Sequence, residues 1–202
     1  MTAQDPTAAD PLVALTTVEG ALVSLIGAML AATPGLSEFD RALLEAIQCE
    51  DEAHWHLLSA LGGLLLTDAF TVPSALLQDR AHALRGLLLL KEVSLGAEMA
   101  FSRSLVAGAD QRVAETLFAM GAIEGGHHAA LRAALGEQPT VARAFLPWQF
   151  SDPAEAIDAL SALGVLGGAG DLVPYPGPLP RRCRGVTGLV PETTEDATAW
   201  GG

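Results

Sequence analysis

Four long segments of the chain repeat apolar residues at the three- and four-residue spacing of amphipathic helices. Gly or Pro residues occur at the boundaries of these segments. No alternating apolar–polar pattern is long enough to predict a β-strand. The pattern therefore predicts an all-α fold, a four-helix bundle. Its helices are expected at about 11–32, from Ser37 to Gly62, from Pro73 to Gly108, and from Asp110 to Gly136. Ser37, with Asp40 three residues later, predicts a capping box at the start of the second helix, and Asp110 is the predicted N-cap of the fourth.

The links between these helices predict how the chain is organised. Two of them are short, whereas residues 62–73 form a longer crossover between the second and third helices. Beyond Gly136 the composition changes, and Pro153 predicts the first turn of a short fifth helix. The later part is rich in Gly and Pro and buries little apolar surface, so we expect it to be extended or mobile. The expected parts are an N-terminal arm 1–10, a bundle 11–136, an extension 137–167 and a tail 168–202.

Composition and charge restrict the classes of partner. Half of the 202 residues are hydrophobic and only 5% are aromatic, which favours helices packed through Ala and Leu. The chain has 24 acidic and 11 basic residues, a formal charge of −13. Nucleic acids and anionic membranes attract the opposite sign of charge, so neither is an expected partner. Metal cations are better matched.

Cysteine usage and the first helix bear on location. Cys49 and Cys183 lie far apart and form no CxxC motif, so we expect no disulfide scaffold and a reducing, cytoplasmic setting. The apolar segment 11–35 lacks a basic flank before Arg41, and Glu19 would be costly inside a membrane. We therefore expect a buried helix of a soluble protein.

Each predicted helix carries one acidic residue among apolar neighbours on its own face. An isolated buried carboxylate costs several kcal/mol or stays protonated, so four of them in one core indicate bound cations. The four residues are Glu19, Asp51, Glu92 and Glu124.

The spacing of these residues is the strongest sequence evidence for a metal site. Asp51 with His54, and Glu124 with His127, form two acid-x-x-His pairs, each on one side of its helix. Glu92, Glu124 and His127 each follow their counterpart in the first half of the repeat by 73 residues. Four carboxylates and two histidines on four helices are the ligand set of di-iron and di-manganese bundles.

Three alternatives remain open on the residues alone. A third acid-x-x-His pair, Asp79 with His82, has no counterpart at the 73-residue offset, and we expect it to lie in a solvated stretch. Glu98 competes with Glu92, although its neighbours are more polar and it breaks the repeat. The whole set could also belong to a bundle whose metal site has decayed.

The motif segments "CEDEAHWHLLSALGG", "AIEGGHHAALRAALGE" and "KEVSLGAEMAF" resemble the ferritin-like superfamily, and more narrowly the ferritin-like domain family that includes desiccation-related proteins. The resemblance covers about residues 11–136 and implies two helix hairpins related by a pseudo-two-fold axis. It assigns Glu19 and Glu92 as lone carboxylates beside the two acid-x-x-His pairs. Asp51 stands where the family pattern has glutamate, which leaves a distorted, asymmetric or single-metal site open.

The resemblance implies redox chemistry with two iron ions, or with manganese or a mixed pair. Dioxygen or peroxide is the expected co-reactant, and the reductant is Fe²⁺ itself or an unknown small molecule. We expect Gly125 and Gly126 to line the site and leave room beside the metals. The only tyrosine, Tyr175, lies in the tail, which argues against a tyrosyl-radical enzyme.

The alternative function is a non-catalytic helical bundle that acts as a stress-protective or interaction module. The apolar helices are also compatible with a homodimer.

Overall fold

The computed structural model describes residues 10–106, 111–137, 150–177 and 179. These residues are mostly helical, which confirms the all-α class. The α-helices are α1 Pro11–Ala32, α2 Glu38–Ala60, α3 Arg80–Val106, α4 Gln111–Ala134 and α5 Glu155–Ala162. Two short strands, β1 Ala69–Pro73 and β2 Gly170–Pro174, and a 3₁₀ turn at Ser74–Leu77 complete the elements.

The side chain of Asp10 begins α1 by accepting a hydrogen bond from the backbone N–H of Leu12 at 2.9 Å. Pro11 follows at the first helical position, where a missing N–H costs nothing. This helix is long and apolar enough to cross a membrane, yet 83% of its apolar window is buried inside the structure. A buried core helix passes the same test, so the finding is weak evidence for a membrane span.

The capping box predicted at the start of α2 is present. Ser37 Oγ accepts a hydrogen bond from the backbone N–H of Asp40, and the Asp40 carboxylate accepts one from the backbone N–H of Ser37. Arg80, at the start of α3, donates two hydrogen bonds of 2.7 Å to the same carboxylate and a third to the carbonyl of Ala134. One guanidinium therefore ties the start of α2 to the start of α3 and the end of α4.

A two-stranded antiparallel sheet corrects the expectation that the chain has no strand. β1 lies within the predicted crossover and pairs with β2, with Ala69 opposite Pro174 and Pro73 opposite Gly170. β1 is buried at Phe70, Thr71 and Val72, so its five residues show no alternation. β2 belongs to the segment expected to be extended or mobile, and pairing orders it. The rest of that segment, 178 and 180–202, lies outside the described residues, as do Cys183 and the predicted cap Asp110.

The long helices pack as two sequential pairs. α1 packs most extensively against α2, α3 packs most extensively against α4, and α1–α3 and α2–α4 contacts join the pairs. α5 packs against α1 and α3. The common interior is built from aliphatic side chains that include Leu15, Leu22, Leu44, Leu84 and Leu131. Acidic and basic side chains meet within this interior.

Candidate metal centre

Four buried side chains from three helices come together in the interior. Glu19 of α1, Asp51 and His54 of α2, and Glu124 of α4 each offer a ligand atom, and these atoms lie within 4.8 Å of one another. We call these four residues the carboxylate–histidine cluster. The His54 Nδ1 atom lies 3.3 Å from Glu124 Oε1 and 3.7 Å from Glu19 Oε2. A buried carboxylate–histidine cluster of this kind could hold a metal ion.

His127 lies beside this cluster, as its place in the acid-x-x-His motif predicts. Its Nδ1 atom is 3.4 Å from Glu124 Oε1 and 3.7 Å from Asp51 Oδ1. Its Nε2 atom contacts the carboxylate of Glu50, whose side chain is 35% exposed. The sequence pattern places Glu50 on another face of α2, yet the structure makes it the partner that fixes the orientation of the His127 ring.

A lysine also reaches the cluster, and sequence reasoning missed it. Lys91 of α3 is the only lysine in the chain and is 1% exposed. Its Nζ atom donates a hydrogen bond to Asp51 Oδ1 and lies 2.9 Å from the Glu124 carboxylate. The sequence does contain a signal for this burial, because Lys91 directly follows four consecutive leucines. A lysine in such an apolar stretch is expected to be buried.

Glu92, predicted as the ligand from the third helix, lies outside the carboxylate–histidine cluster. Its side chain is half-buried and its Oε1 atom is 3.2 Å from His128 Nε2. The buried carboxyl of α3 next to the cluster is Glu98, at 1% exposure. The prediction preferred Glu92 because of the 73-residue repeat, whereas in the structure the α3 carboxyl group close enough to interact with Glu124 and Glu19 is that of Glu98.

The periodicity of α3 explains this correction. The buried face of the helix repeats at alternating three- and four-residue steps, and Glu92 falls one residue off it. Lys91 and Ser94 stand on this face, and Ser94 Oγ donates a hydrogen bond of 2.7 Å to Glu19 Oε1. The residues of the face are Leu84, Leu87, Lys91, Ser94 and Glu98, all at most 1% exposed.

The glycines expected to line the site do not do so. Gly125 and Gly126 are exposed, and a Cβ atom added at either would meet no described atom within 4 Å. Gly121, one turn earlier, is the glycine of α4 beside the carboxyl groups, since its added Cβ would lie 3.2 Å from Glu98 Oε2. The absence of a side chain at Gly121 therefore accommodates the Glu98 carboxyl group.

Burial and like charges raise the pKa values of two carboxyl groups. Burial is the main cause for Asp51; Glu124 and Glu19 add to it, Lys91 opposes it, and its pKa rises to about 7. Burial, with the charges of Glu124 and Glu19, also raises the pKa of Glu98 well above the usual range. A protonated Glu98 relieves part of the repulsion among these groups.

The remaining shifts favour the charged forms. Burial opposes ionisation of Glu124, but Lys91 and the two histidines hold its pKa well below the usual range. Burial alone would lower the pKa values of His54 and His127, yet their carboxylate partners raise both. Burial likewise disfavours the Lys91 ammonium, and the charges of Asp51, Glu124 and Glu19 raise its pKa.

Unsatisfied carboxylate oxygens provide the test of whether these residues fit a metal ion. Glu19 Oε2, Asp51 Oδ2 and both carboxyl oxygens of Glu98 are buried and have no hydrogen-bond partner among the described residues. His54 Nδ1 is also buried without a hydrogen bond in that part of the chain. Buried oxygen and imidazole donors without partners are the ligands that divalent iron and manganese bind. The donor set therefore fits a cation.

Two further features lie outside the cluster. Asp79 and His82 are about half exposed and pair at the start of α3, as the sequence predicts. Cys49 is disulfide-bonded, which differs from the free thiols that a reducing setting favours. The cytoplasmic location stays a prediction.

Searches of family models, curated proteins and solved structures returned no match to this chain.

Proposed function

We propose that the chain is a ferritin-like protein that binds iron or manganese in its interior and uses the metal in oxygen- or peroxide-dependent oxidoreductase or ferroxidase chemistry. The observation that carries this proposal is the convergence of Glu19, Asp51, His54 and Glu124 within 4.8 Å, fully shielded from solvent or nearly so. The two acid-x-x-His motifs and the resemblance of the motif segments to ferritin-like proteins add support.

The metal, when bound, would supply a change of oxidation state and open coordination positions. Glu19, Asp51 and Glu124 would neutralise its charge, and His54 would complete the donor set. Ser94 holds one oxygen of Glu19, which leaves the other oxygen of that carboxylate for the ion. The aliphatic residues around the cluster exclude water, which strengthens every charge interaction inside.

One observation favours the alternative, a non-catalytic helical module. Lys91 and protonated His54 and His127 would supply three positive charges. Among the carboxyl groups, Glu124 is held in its charged form, whereas the pKa values of Asp51 and Glu98 are raised, so these positive charges offset much of the negative charge in the interior. Protons alone could therefore neutralise the interior, and metal content distinguishes the two functions.

The first experiment is a metal analysis by mass spectrometry after growth in medium replete with iron and manganese. The wild type should retain iron or manganese, and Glu124→Gln should lose it. Glu92→Gln is the matched control, because it removes a carboxylate that lies outside the cluster. Metal retained in the wild type and the control would then justify oxygen-consumption assays with Fe²⁺ and candidate reductants. A helical wild-type protein without metal would contradict the proposal and leave the interaction module.

A further inference from the structure

The number of ions follows from where Lys91 lies, and this inference rests on the proposed function. We propose that the Lys91 ammonium group occupies the position of a second cation, so that the centre takes one divalent ion instead of two. The two cation positions of the centre would then hold one metal ion and the ammonium group of Lys91.

Glu124 divides the interior into two halves. On one side, its Oε1 atom and Glu19 Oε2 lie 3.3 and 3.7 Å from His54 Nδ1. Donor atoms that share one ion at bonds of about 2.1 Å lie roughly 3 to 3.5 Å apart. The 3.3 Å separation has this spacing, and the 3.7 Å separation is slightly longer. On this side, Glu19 Oε2 and His54 Nδ1 have no hydrogen bond among the described residues. Glu98, also unpartnered there, adds a carboxyl near this half.

On the other side, one oxygen of each carboxylate already accepts a hydrogen bond from an ammonium group, whereas Asp51 Oδ2 and His127 Nδ1 have no hydrogen bond among the described residues. Asp51 and Glu124 both bind Lys91 Nζ, and His127 Nδ1 lies 3.7 and 3.4 Å from these same two carboxylates. Two carboxylates and an imidazole would be the ligands of a second ion. The ammonium of Lys91 is the cation among them.

The charge balance supports the same conclusion. A second divalent ion would have to displace an ammonium group that is fully buried and bound by two carboxylates. Breaking such a pair leaves an uncompensated charge in the interior, which is strongly unfavourable. Asp51, which stands where the resemblance expects glutamate, is one of the two carboxylates that hold this ammonium group.

The experiment counts ions by anaerobic titration of the apo-protein with Co²⁺, followed by absorption and by metal analysis after desalting. The wild type should bind one Co²⁺ per chain. Lys91→Ala, which empties the ammonium position, should bind two, and Lys91→Gln should confirm the result if the alanine variant does not fold. Arg85→Met is the matched control, because it removes a positive charge from an exposed position of the same helix. Circular dichroism checks the fold of each variant.

Each other result overturns the inference in a distinguishable way. Two ions in the wild type would overturn it and leave the proposed function intact. One ion in both the wild type and the folded Lys91 variants would show that Lys91 does not hold a cation position. No ion in any of the proteins would overturn the proposed function as well. No ion in the wild type, with ions in Lys91→Ala, would show that the lysine excludes metal altogether.

Discussion

The ammonium group of Lys91 hydrogen-bonds the carboxylate of Asp51 across the interior, although the two residues lie 40 positions apart in the sequence. Both side chains are fully buried, so the pair has no access to solvent that could screen it. Glu124 binds the same ammonium from a third helix. The contact therefore joins α2, α3 and α4 at the level where the cluster forms.

Replacing this lysine should destabilise the metal-free protein. In Lys91→Met, Asp51 and Glu124 lose their buried cation, and removal of one partner of such a pair costs about 3–5 kcal/mol. Chemical denaturation of the apo-protein measures the free energy of unfolding. The double variant Lys91→Met/Asp51→Asn should recover part of the loss, because it also removes a stranded charge. Equal or greater loss in the double variant would contradict this account of the pair.

The helices themselves could be predicted because their signals are local. The predicted limits 11–32 of the first helix are those of α1, and the serine predicted to cap the second helix, Ser37, does so. Apolar spacing and capping residues act within a few positions of one another, so one sequence contains the whole signal. The short sheet escaped prediction because β1 and β2 stabilise each other from positions about 100 residues apart.

The site could be predicted only in part, for a geometrical reason. The two acid-x-x-His motifs predicted Asp51, His54, Glu124 and His127 correctly as neighbours, since spacing within one helix fixes which side chains share a face. The prediction that Glu92 is a ligand depended on a repeat between helices, and such a repeat does not fix how a helix is rotated about its own axis. In the structure α3 is rotated by one residue relative to that prediction. The side chain of Lys91 therefore points into the interior, and Glu92 pairs with His128.

Chemical labelling should detect the burial of the only lysine. With an amine-reactive acetylating reagent, Lys91 should stay unmodified in the native protein. In the denatured protein Lys91 should be acetylated, because only unfolding exposes that ammonium group and allows it to deprotonate. Intact-mass spectrometry counts the groups, and peptide mapping locates them. Rapid acetylation of Lys91 in the native protein would contradict its buried position.

Gly125 and Gly126 should tolerate alanine well. Both residues are exposed to solvent and lie away from the ends of α4, where glycine costs about 1 kcal/mol of stability relative to alanine. A Cβ atom added at either position would meet no described atom within 4 Å. Gly125→Ala should therefore raise the free energy of unfolding by roughly 0.5–1 kcal/mol without changing metal content. Gly121→Ala is the control: its Cβ would press on Glu98, so the gain should be smaller or absent. Loss of metal in Gly125→Ala would instead show that Gly125 lines the metal site.

Stability at low pH should depend on the Asp40–Arg80 ion pair. The hydrogen bonds from Arg80, opposed in part by burial and assisted by Ser37, lower the pKa of Asp40 from 3.8 to about 2. A lowered folded-state pKa stabilises the protein above pH 3.8, and the contribution is lost as the pH falls through 2. The full contribution is about 2 kcal/mol. Arg80→Gln should remove most of it at pH 7 and change stability less at pH 2, as urea denaturation at both pH values would show. An equal effect at both would contradict this assignment.

Ser94 should tune the affinity for metal by orienting Glu19. Its hydroxyl donates a hydrogen bond of 2.7 Å to Glu19 Oε1, and loss of such an orienting contact typically weakens metal binding 10- to 100-fold. Ser94→Ala should therefore raise the Kd for Mn²⁺ or Co²⁺ about tenfold in calorimetric titrations. Ser24→Ala is the matched control, because that buried serine donates only to the carbonyl of Gly20 within its own helix. Because both variants remove one buried hydroxyl, an equal change in Kd would mean that packing, and not the orientation of Glu19, sets the affinity.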